Sequence, residues 1–466
     1  MSAETEYSEG VQAYIARARE AEARRRAALA RMRGMKFDTL TVHGLYSAQE
    51  ALRNQGSVVE PAFFSSAQTY ENSDHLEAAL ANLTPDWVYG RYGSPTTACL
   101  EDTLALLEGY GFAGDVSACA TGSGMSAVFM ATQPFLLNYG HPSDGNVNFV
   151  ATAQCYGGTF QLFNLRYMQE RGAAVRWVRD GLNLDEWASQ IDANTRFLYG
   201  EMPSNPGLGL VDVAALADLA HAHGLPLIVD ATLATPALLR PLQHGADIVV
   251  HSVSKVMTAG GFGIAGAVIA RRGIASRVGP DAMRADFAAY VKRGPFRDYG
   301  PALSPFNALM TLGELRTLRS RVDALSRSAL KVARFLEAHP AVESVQYPGL
   351  ASFPGHAVAA RYLWLVDGEG EGGAPVNRYG HLLSFCVKGG PAAARRVLDA
   401  LTLIFRAADL GRVKSLATIP AISTHRQQGA AGRALAAIPA NLIRLSVGAE
   451  HPDDLIADLD QALAFG

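Results

Sequence analysis

The chain has 466 residues, 49% of them hydrophobic and 18% charged, with a formal net charge of −3. That composition describes an ordinary globular protein with ample material for a large core, and the balance of charge gives no pull toward nucleic acid or an anionic membrane. The four cysteines, Cys99, Cys119, Cys155 and Cys386, have no metal-type spacing, and no apolar run approaches the ~18 residues of a membrane span. A cytoplasmic protein with no metal, nucleic-acid or membrane partner is expected.

Residues 11–33 are rich in Ala, Arg and Glu and predict a helix, either a solvated one or a subunit-contact arm. Residues 37–84 read as a loop-rich arm without a compact core, which needs another surface to cover Phe63 and Phe64. Tyr89 and Arg91 precede a helix opened by Pro95, close enough together to form a fork for a phosphate. A strand over 115–120 then leads through a glycine turn into a helix from about Gly124. Backbone N–H groups at such a start form an anion site.

A strand over 148–152 ends near Tyr156, whose ring could stack on a planar cofactor or pack in the core. The strand over 196–201 runs into Asn205 between two prolines, which is turn chemistry first and a cofactor contact second. The stretch 225–266 follows. Strands over 225–230 and 246–251 are continuous apolar runs, the pattern of parallel strands covered on both faces, and a helical segment near 236–245 joins them. Ligands of such a sheet gather at the carboxyl ends of its strands. Asp230 stands at the first end, and Ser252, Ser254 and Lys255 stand just past the second. A carboxylate for a pyridinium nitrogen, hydroxyls for a phosphate and a lysine for a covalent anchor are what pyridoxal phosphate needs. Gly261 to Gly266 spells GxGxxG, but it precedes a strand, so the dinucleotide reading is rejected.

After Pro305 a long helix is expected to about Ala338, and 366–378 reads as an exposed insertion. Strands near 342–347, 381–387 and 442–447, with helices at 391–404 and 452–465, predict a smaller α+β domain.

Taken in order, these motifs resemble the Cys/Met-metabolism family of pyridoxal phosphate enzymes, which includes cystathionine synthases and lyases, methionine γ-lyase and O-acylhomoserine sulfhydrylases. The family's Tyr-x-Arg is matched by Tyr89-Gly90-Arg91, its Ser-Gly-Met phosphate turn by Ser123-Gly124-Met125, and its ring-stacking tyrosine by Tyr156. Asn205 matches the asparagine near the cofactor hydroxyl, Asp230 the pyridinium carboxylate, and Ser252-Val253-Ser254-Lys255 the Ser-x-Thr-Lys segment. Arg444, within Asn441 to Gly448, matches the arginine that holds the substrate carboxylate.

The resemblance implies an α/β protein of fold type I: an N-terminal arm over 1–94, a mostly parallel-sheet cofactor domain over 95–305 and an α+β C-terminal domain over 306–466. It implies a homotetramer, a dimer of dimers, in which Tyr89 and Arg91 serve the neighbouring subunit's site. Lys255 would anchor the cofactor and shuttle protons, with Tyr156 and Tyr89 as further candidates for proton transfer. The implied reaction is γ-replacement or γ-elimination on an activated homoserine-type amino acid, foremost an O-acylhomoserine with sulfide or a thiol. Other leaving groups (a sulfonium such as S-adenosylmethionine), methionine γ-lyase activity, transamination and a non-catalytic role are the alternatives.

Departures from the family pattern are Ser94, Ala231, Ser254 and, above all, Asp409, where Ser or Asn is usual beside the substrate carboxylate. Asp409 either pairs with Arg412 or Lys414 and points away, or faces the substrate and selects a cationic feature. Ala408 stands where cystathionine-handling members carry Glu, and Gly158 where methionine γ-lyases carry Cys.

Overall fold

The structure, a computed structural model, describes residues 7–142 and 144–466. Helix α1 (Glu9–Arg33) is capped by the Ser8 hydroxyl and buries Val11 and Tyr14. The segment read as coreless instead contains three short helices, α2 (Phe37–His43), α3 (Ala48–Arg53) and α4 (Ser73–Leu80). Phe37 and Leu40 of α2 enter the main core beside Leu100 and Leu104. Tyr14 fastens α1 to the arm: its hydroxyl donates to Glu71 at 2.9 Å and accepts from Asn72 at 3.0 Å. Phe64 remains 65% exposed.

The large sheet has seven strands: β1 (Val116–Thr121), β2 (Asn148–Thr152), β3 (Ala174–Val178), β4 (Thr195–Glu201), β5 (Leu227–Asp230), β6 (Ile248–His251) and β7 (Gly266–Arg271). Their order is β1-β7-β6-β5-β4-β2-β3, parallel from β3 to β6, with β7 antiparallel to both its neighbours. Every residue of β5 and β6 is buried, which is why both read as unbroken apolar runs. Cores lie on both faces, one holding Leu227, Val229 and Val249, the other Ile228, Ile248 and Val250. The expected joining helix is two short pieces, Thr235–Leu238 and Pro241–His244. Helix α5 (Pro95–Glu108) packs against β1, and α6 (Gly124–Thr132) opens at the site.

The expected 305–338 helix is broken into Pro305–Leu315 and Leu318–Ala338, because Thr317 leaves helical geometry. Next to the break, Arg316 turns to the buried Glu60 of the arm at 2.5 Å. The C-terminal part carries β8 (Val342–Gln346), β9 (Trp364–Glu369), β10 (Pro375–Asn377), β11 (Leu382–Val387), β12 (Phe405–Arg406), β13 (Leu416–Thr418) and β14 (Leu442–Ser446). Five of these form a sheet in the order β12-β13-β14-β11-β8, and β9 with β10 makes a hairpin of the Gly/Glu-rich insertion. The sequence reading missed the short strands β12 and β13. Among the described residues no helix is long and apolar enough to cross a membrane.

Candidate active site

The carboxyl ends of β4, β5 and β6 open into a cavity of about 340 Å³. Its base is Asp230, the last residue of β5. Asp230 Oδ1 accepts the Thr232 N–H at 3.0 Å and its hydroxyl at 2.6 Å, while Oδ2 accepts the Tyr199 hydroxyl at 3.3 Å. The same Thr232 hydroxyl accepts the Ser252 N–H at 2.8 Å and so ties the ends of β5 and β6 together. Burial raises the pKa of Asp230 against the hydrogen bonds from Thr232 that lower it. A buried carboxylate whose hydrogen-bond donors are all neutral is suited to a protonated ring nitrogen.

Beside it, the Ser123 hydroxyl caps α6 by accepting from Ser126 N–H at 3.1 Å. The N–H groups of Gly124 and Met125 stand in the first turn, where a helix has no acceptors of its own to offer. A Cβ on Gly124 would meet the Ser252 side chain at 2.5 Å, so glycine lets this turn close on the lysine loop. The Ser254 hydroxyl is engaged elsewhere than the sequence suggests: it donates to Ala265 C=O and accepts from Ala265 N–H, both at 2.9 Å, so its proton is committed to the backbone.

Lys255 Nζ lies 2.6 Å from Asp409 Oδ1. Burial lowers the pKa of the lysine, and the Asp409 carboxylate opposes that shift. Asp409 thus combines both expectations. Its Oδ2 accepts from Arg412 Nε at 2.6 Å, yet the side chain lines the cavity rather than pointing away. Burial would lift its carboxyl, but Lys255 and Arg412 hold it down at about 2. Lys414 turns instead to the Phe405 ring, 5.0 Å from its centroid.

Arg444, in the middle of β14, is fully buried. Its Nη1 donates to Asn205 Oδ1 at 3.0 Å and its Nη2 to the backbone oxygen of Asp409 at 2.8 Å, while its buried Nε has no partner among the described residues. Burial brings the guanidinium pKa down to about 10. A buried charged donor short of an acceptor is a ready seat for a carboxylate. Asn205 therefore faces this arginine through its amide oxygen.

Tyr156 lines the opposite wall. Its N–H is held by Glu201 Oε2 at 2.8 Å, while Glu201 Oε1 accepts the Asn205 N–H at 2.8 Å. Glu201 ends β4, directly across the ladder from Asp230. Burial, reinforced by the Asp230 charge, drives its pKa well upward, against the two backbone N–H groups that pull it down. Thr232, Glu201 and Tyr199 escaped the sequence reading, whereas Arg412 is a partner it offered for Asp409. Only Glu201 carried a signal, its place at a strand end.

Tyr89 and Arg91 are not brought to this cavity within one chain. Tyr89 is 46% exposed, and Arg91 stacks 4.8 Å from the Tyr92 ring and donates to the backbone of Arg297. The remaining set (a lysine, a deep carboxylate, a helix start with the Ser123 and Ser252 hydroxyls, and a tyrosine ring) fits the anchor point, ring nitrogen, phosphate and ring face of pyridoxal phosphate.

A sequence model of the family described as Cys/Met metabolism PLP-dependent enzyme matches residues 38–464. The chain is 36% identical to an O-succinylhomoserine sulfhydrylase of Pseudomonas aeruginosa, over 93% of this chain and 96% of that one. It is also 36% identical to an L-methionine γ-lyase of Pseudomonas deceptionensis, over 92% and 97%. A solved structure of a putative O-acetylhomoserine (thiol)-lyase from Campylobacter jejuni, bearing a pyridoxyl-lysine monophosphate, superposes with a TM-score of 0.80 at 32% identity, covering 92% of this chain and 100% of that one.

Proposed function

Since the chain belongs to the Cys/Met metabolism family of PLP-dependent enzymes, we propose that it carries out γ-replacement or γ-elimination on an activated homoserine-type amino acid, with an O-acylhomoserine and sulfide or a thiol as the leading pair. The observation that carries this reading is the convergence of Lys255, Asp230 and Arg444 on one cavity. Pyridoxal phosphate, when bound, supplies an electron sink for a substrate carbon that loses its proton.

The chain's own residues do the rest. Asp230 would keep a proton on the cofactor's ring nitrogen. The amides of Gly124 and Met125, with Ser123 and Ser252, would receive the phosphate. Arg444 grips the substrate's α-carboxylate through its unpartnered donor, and Asn205 fixes the guanidinium plane for that grip. Lys255 would anchor the cofactor. Its lowered pKa supports a role in taking and returning protons, since the amine reaches its neutral form more readily. Tyr156, on the cavity wall, would cover the ring and is a second candidate for proton transfer.

Gly158 favours the sulfhydrylase over the methionine γ-lyase reading. A Cβ there would sit 2.5 Å from the Tyr156 ring and 3.1 Å from Met125 Sδ. A larger residue at this position would have to displace the ring-stacking tyrosine.

The cofactor and C-terminal units divide near residue 305, with the arm before residue 95. The exposed Tyr89 and Phe64 support a homotetramer in which the arm and Arg91 serve a neighbouring subunit. Four free cysteines suit a reducing cytoplasm. The test is to supply O-acetylhomoserine with sulfide, and separately methionine alone, and to identify products by mass. Homocysteine from the first supports the reading. Turnover confined to methionine would replace it with the lyase, and no turnover of any γ-substituted amino acid would refute both.

A further inference from the structure

We propose that Asp409 makes this a site for amino acids whose γ-substituent is positively charged, such as a sulfonium, and against those whose γ-substituent is anionic. The inference rests on the γ-substitution reading above and specifies its substrate class.

Three acidic residues line the cavity: Asp230, Glu201 and Asp409. Asp230 is occupied at the base by Thr232 and Tyr199. Both oxygens of Glu201 are taken by the Tyr156 and Asn205 N–H groups. Asp409 differs in kind. Its Oδ2 is balanced by Arg412, which is itself pinned to the backbone oxygens of Ser254 and Thr258 at 2.6 and 2.9 Å. Its Oδ1 accepts the Leu410 N–H at 2.9 Å and otherwise faces the cavity, where it binds the Lys255 ammonium.

Oδ1 therefore already holds a cation, and that cation is the one group which the chemistry requires elsewhere, as the cofactor's anchor. Another positive group can take over the contact. A substrate would bring one to the right place, because the backbone oxygen of Asp409 is a hydrogen-bond partner of Arg444. An amino acid seated by its carboxylate on Arg444, with its reacting carbons toward Lys255, must run its side chain past the Asp409 carboxylate. A second carboxylate, as in a succinyl ester, meets repulsion there, a neutral acetyl ester meets neither attraction nor repulsion, and a sulfonium meets attraction. Ala408 contributes no polar side chain that could reverse this preference.

The experiment is a charge series on the holoenzyme. The kcat/KM values of O-succinylhomoserine, O-acetylhomoserine and S-methylmethionine are measured for the wild type, Asp409→Asn and Asp409→Ser. In parallel, calorimetry gives the affinities of glutamate, glutamine and ornithine as probes of side-chain charge −1, 0 and +1. The expected result is a wild-type preference for the cationic member in both series. In both variants the cation-over-anion ratio falls by about ten-fold or more, equivalent to about 1.4 kcal/mol. A ratio that is the same in wild type and variants overturns the proposal and leaves Asp409 as a structural partner of Arg412. If none of the three substrates turns over, the γ-substitution reading fails, and the calorimetric ratio still decides whether Asp409 selects charge.

Discussion

Thr232 gives the sharpest quantitative test of how the cofactor seat is built. One hydroxyl donates to the Asp230 carboxylate at 2.6 Å and accepts the Ser252 N–H at 2.8 Å. Thr232→Val keeps the shape and removes both contacts. A hydrogen bond to an ionised group contributes about 1.5–3 kcal/mol, and a buried N–H left without an acceptor costs about 1–3 kcal/mol. The smaller ends of those ranges sum to about 2.5 kcal/mol, roughly 60-fold if all of it is expressed in cofactor affinity. Part of it will be expressed as lost folding stability instead, so we expect pyridoxal phosphate to bind Thr232→Val about 10- to 60-fold more weakly. The assay is an equilibrium titration of cofactor-free protein, followed by the absorbance of the bound cofactor, with Thr232→Ser as the control that restores the hydroxyl. The loss of a hydrogen bond that lowers the Asp230 pKa should also move the acid limb of cofactor retention to higher pH. An affinity for Thr232→Val within about two-fold of wild type, with unchanged unfolding, would refute the idea that this hydroxyl couples the two strand ends.

Lys255→Ala should abolish turnover while circular dichroism stays that of the wild type, and residual turnover in pure protein would remove the lysine from its role. Mixing inactive Arg91→Ala with inactive Lys255→Ala protomers should restore activity, because some mixed sites hold both intact residues; no recovery despite proven subunit exchange would argue against shared sites. Glu201→Gln removes one of two backbone acceptors, at about 1–3 kcal/mol. It loosens Asn205 and hence Arg444, so KM for the amino acid should rise by about five-fold or more while kcat changes less. A fall in kcat with KM unchanged would contradict that positioning role.

How much of this was legible in the chain depends on whether an element's identity is local. β5 and β6 could be read because parallel strands covered on both faces must be apolar throughout, and that pattern places Asp230 and Lys255 at one sheet edge. The helices of the arm were not read, because 6 to 8 residues carry little helical preference of their own and are held by tertiary packing, as Phe37 and Leu40 are. The break at Thr317 fell within a continuous helical pattern, and nothing near it in sequence signals the distant Glu60. At the site, residue types could be assigned but not their partners. Asp409 and Lys255 are 154 positions apart, and no spacing rule predicts their contact. Ser254 kept the hydroxyl that the pattern demands, yet the fold turned it to Ala265.

The segment that carries Asp409 is fastened largely by its main chain and its flanks. The Asp409 carbonyl receives Arg444, the Gly411 N–H donates to Ser446 Oγ at 2.9 Å, and the Val413 N–H donates to Ala259 C=O at 3.0 Å. Gly411 adopts a left-handed φ of +73°, and a Cβ there would come within 2.8 Å of the Val256 nitrogen. None of these attachments uses the side chain at 409. That position behaves as a socket: its carboxylate accepts the Leu410 N–H and pairs with Arg412, but the loop's other fastenings lie outside the side chain, so substrate preference can be rewritten at one codon without rebuilding the loop. For protein engineers the corollary is practical. Libraries at position 409 should leave Gly411 and Arg412 fixed, and a graft that exchanges the whole loop must bring its own glycine at the third place.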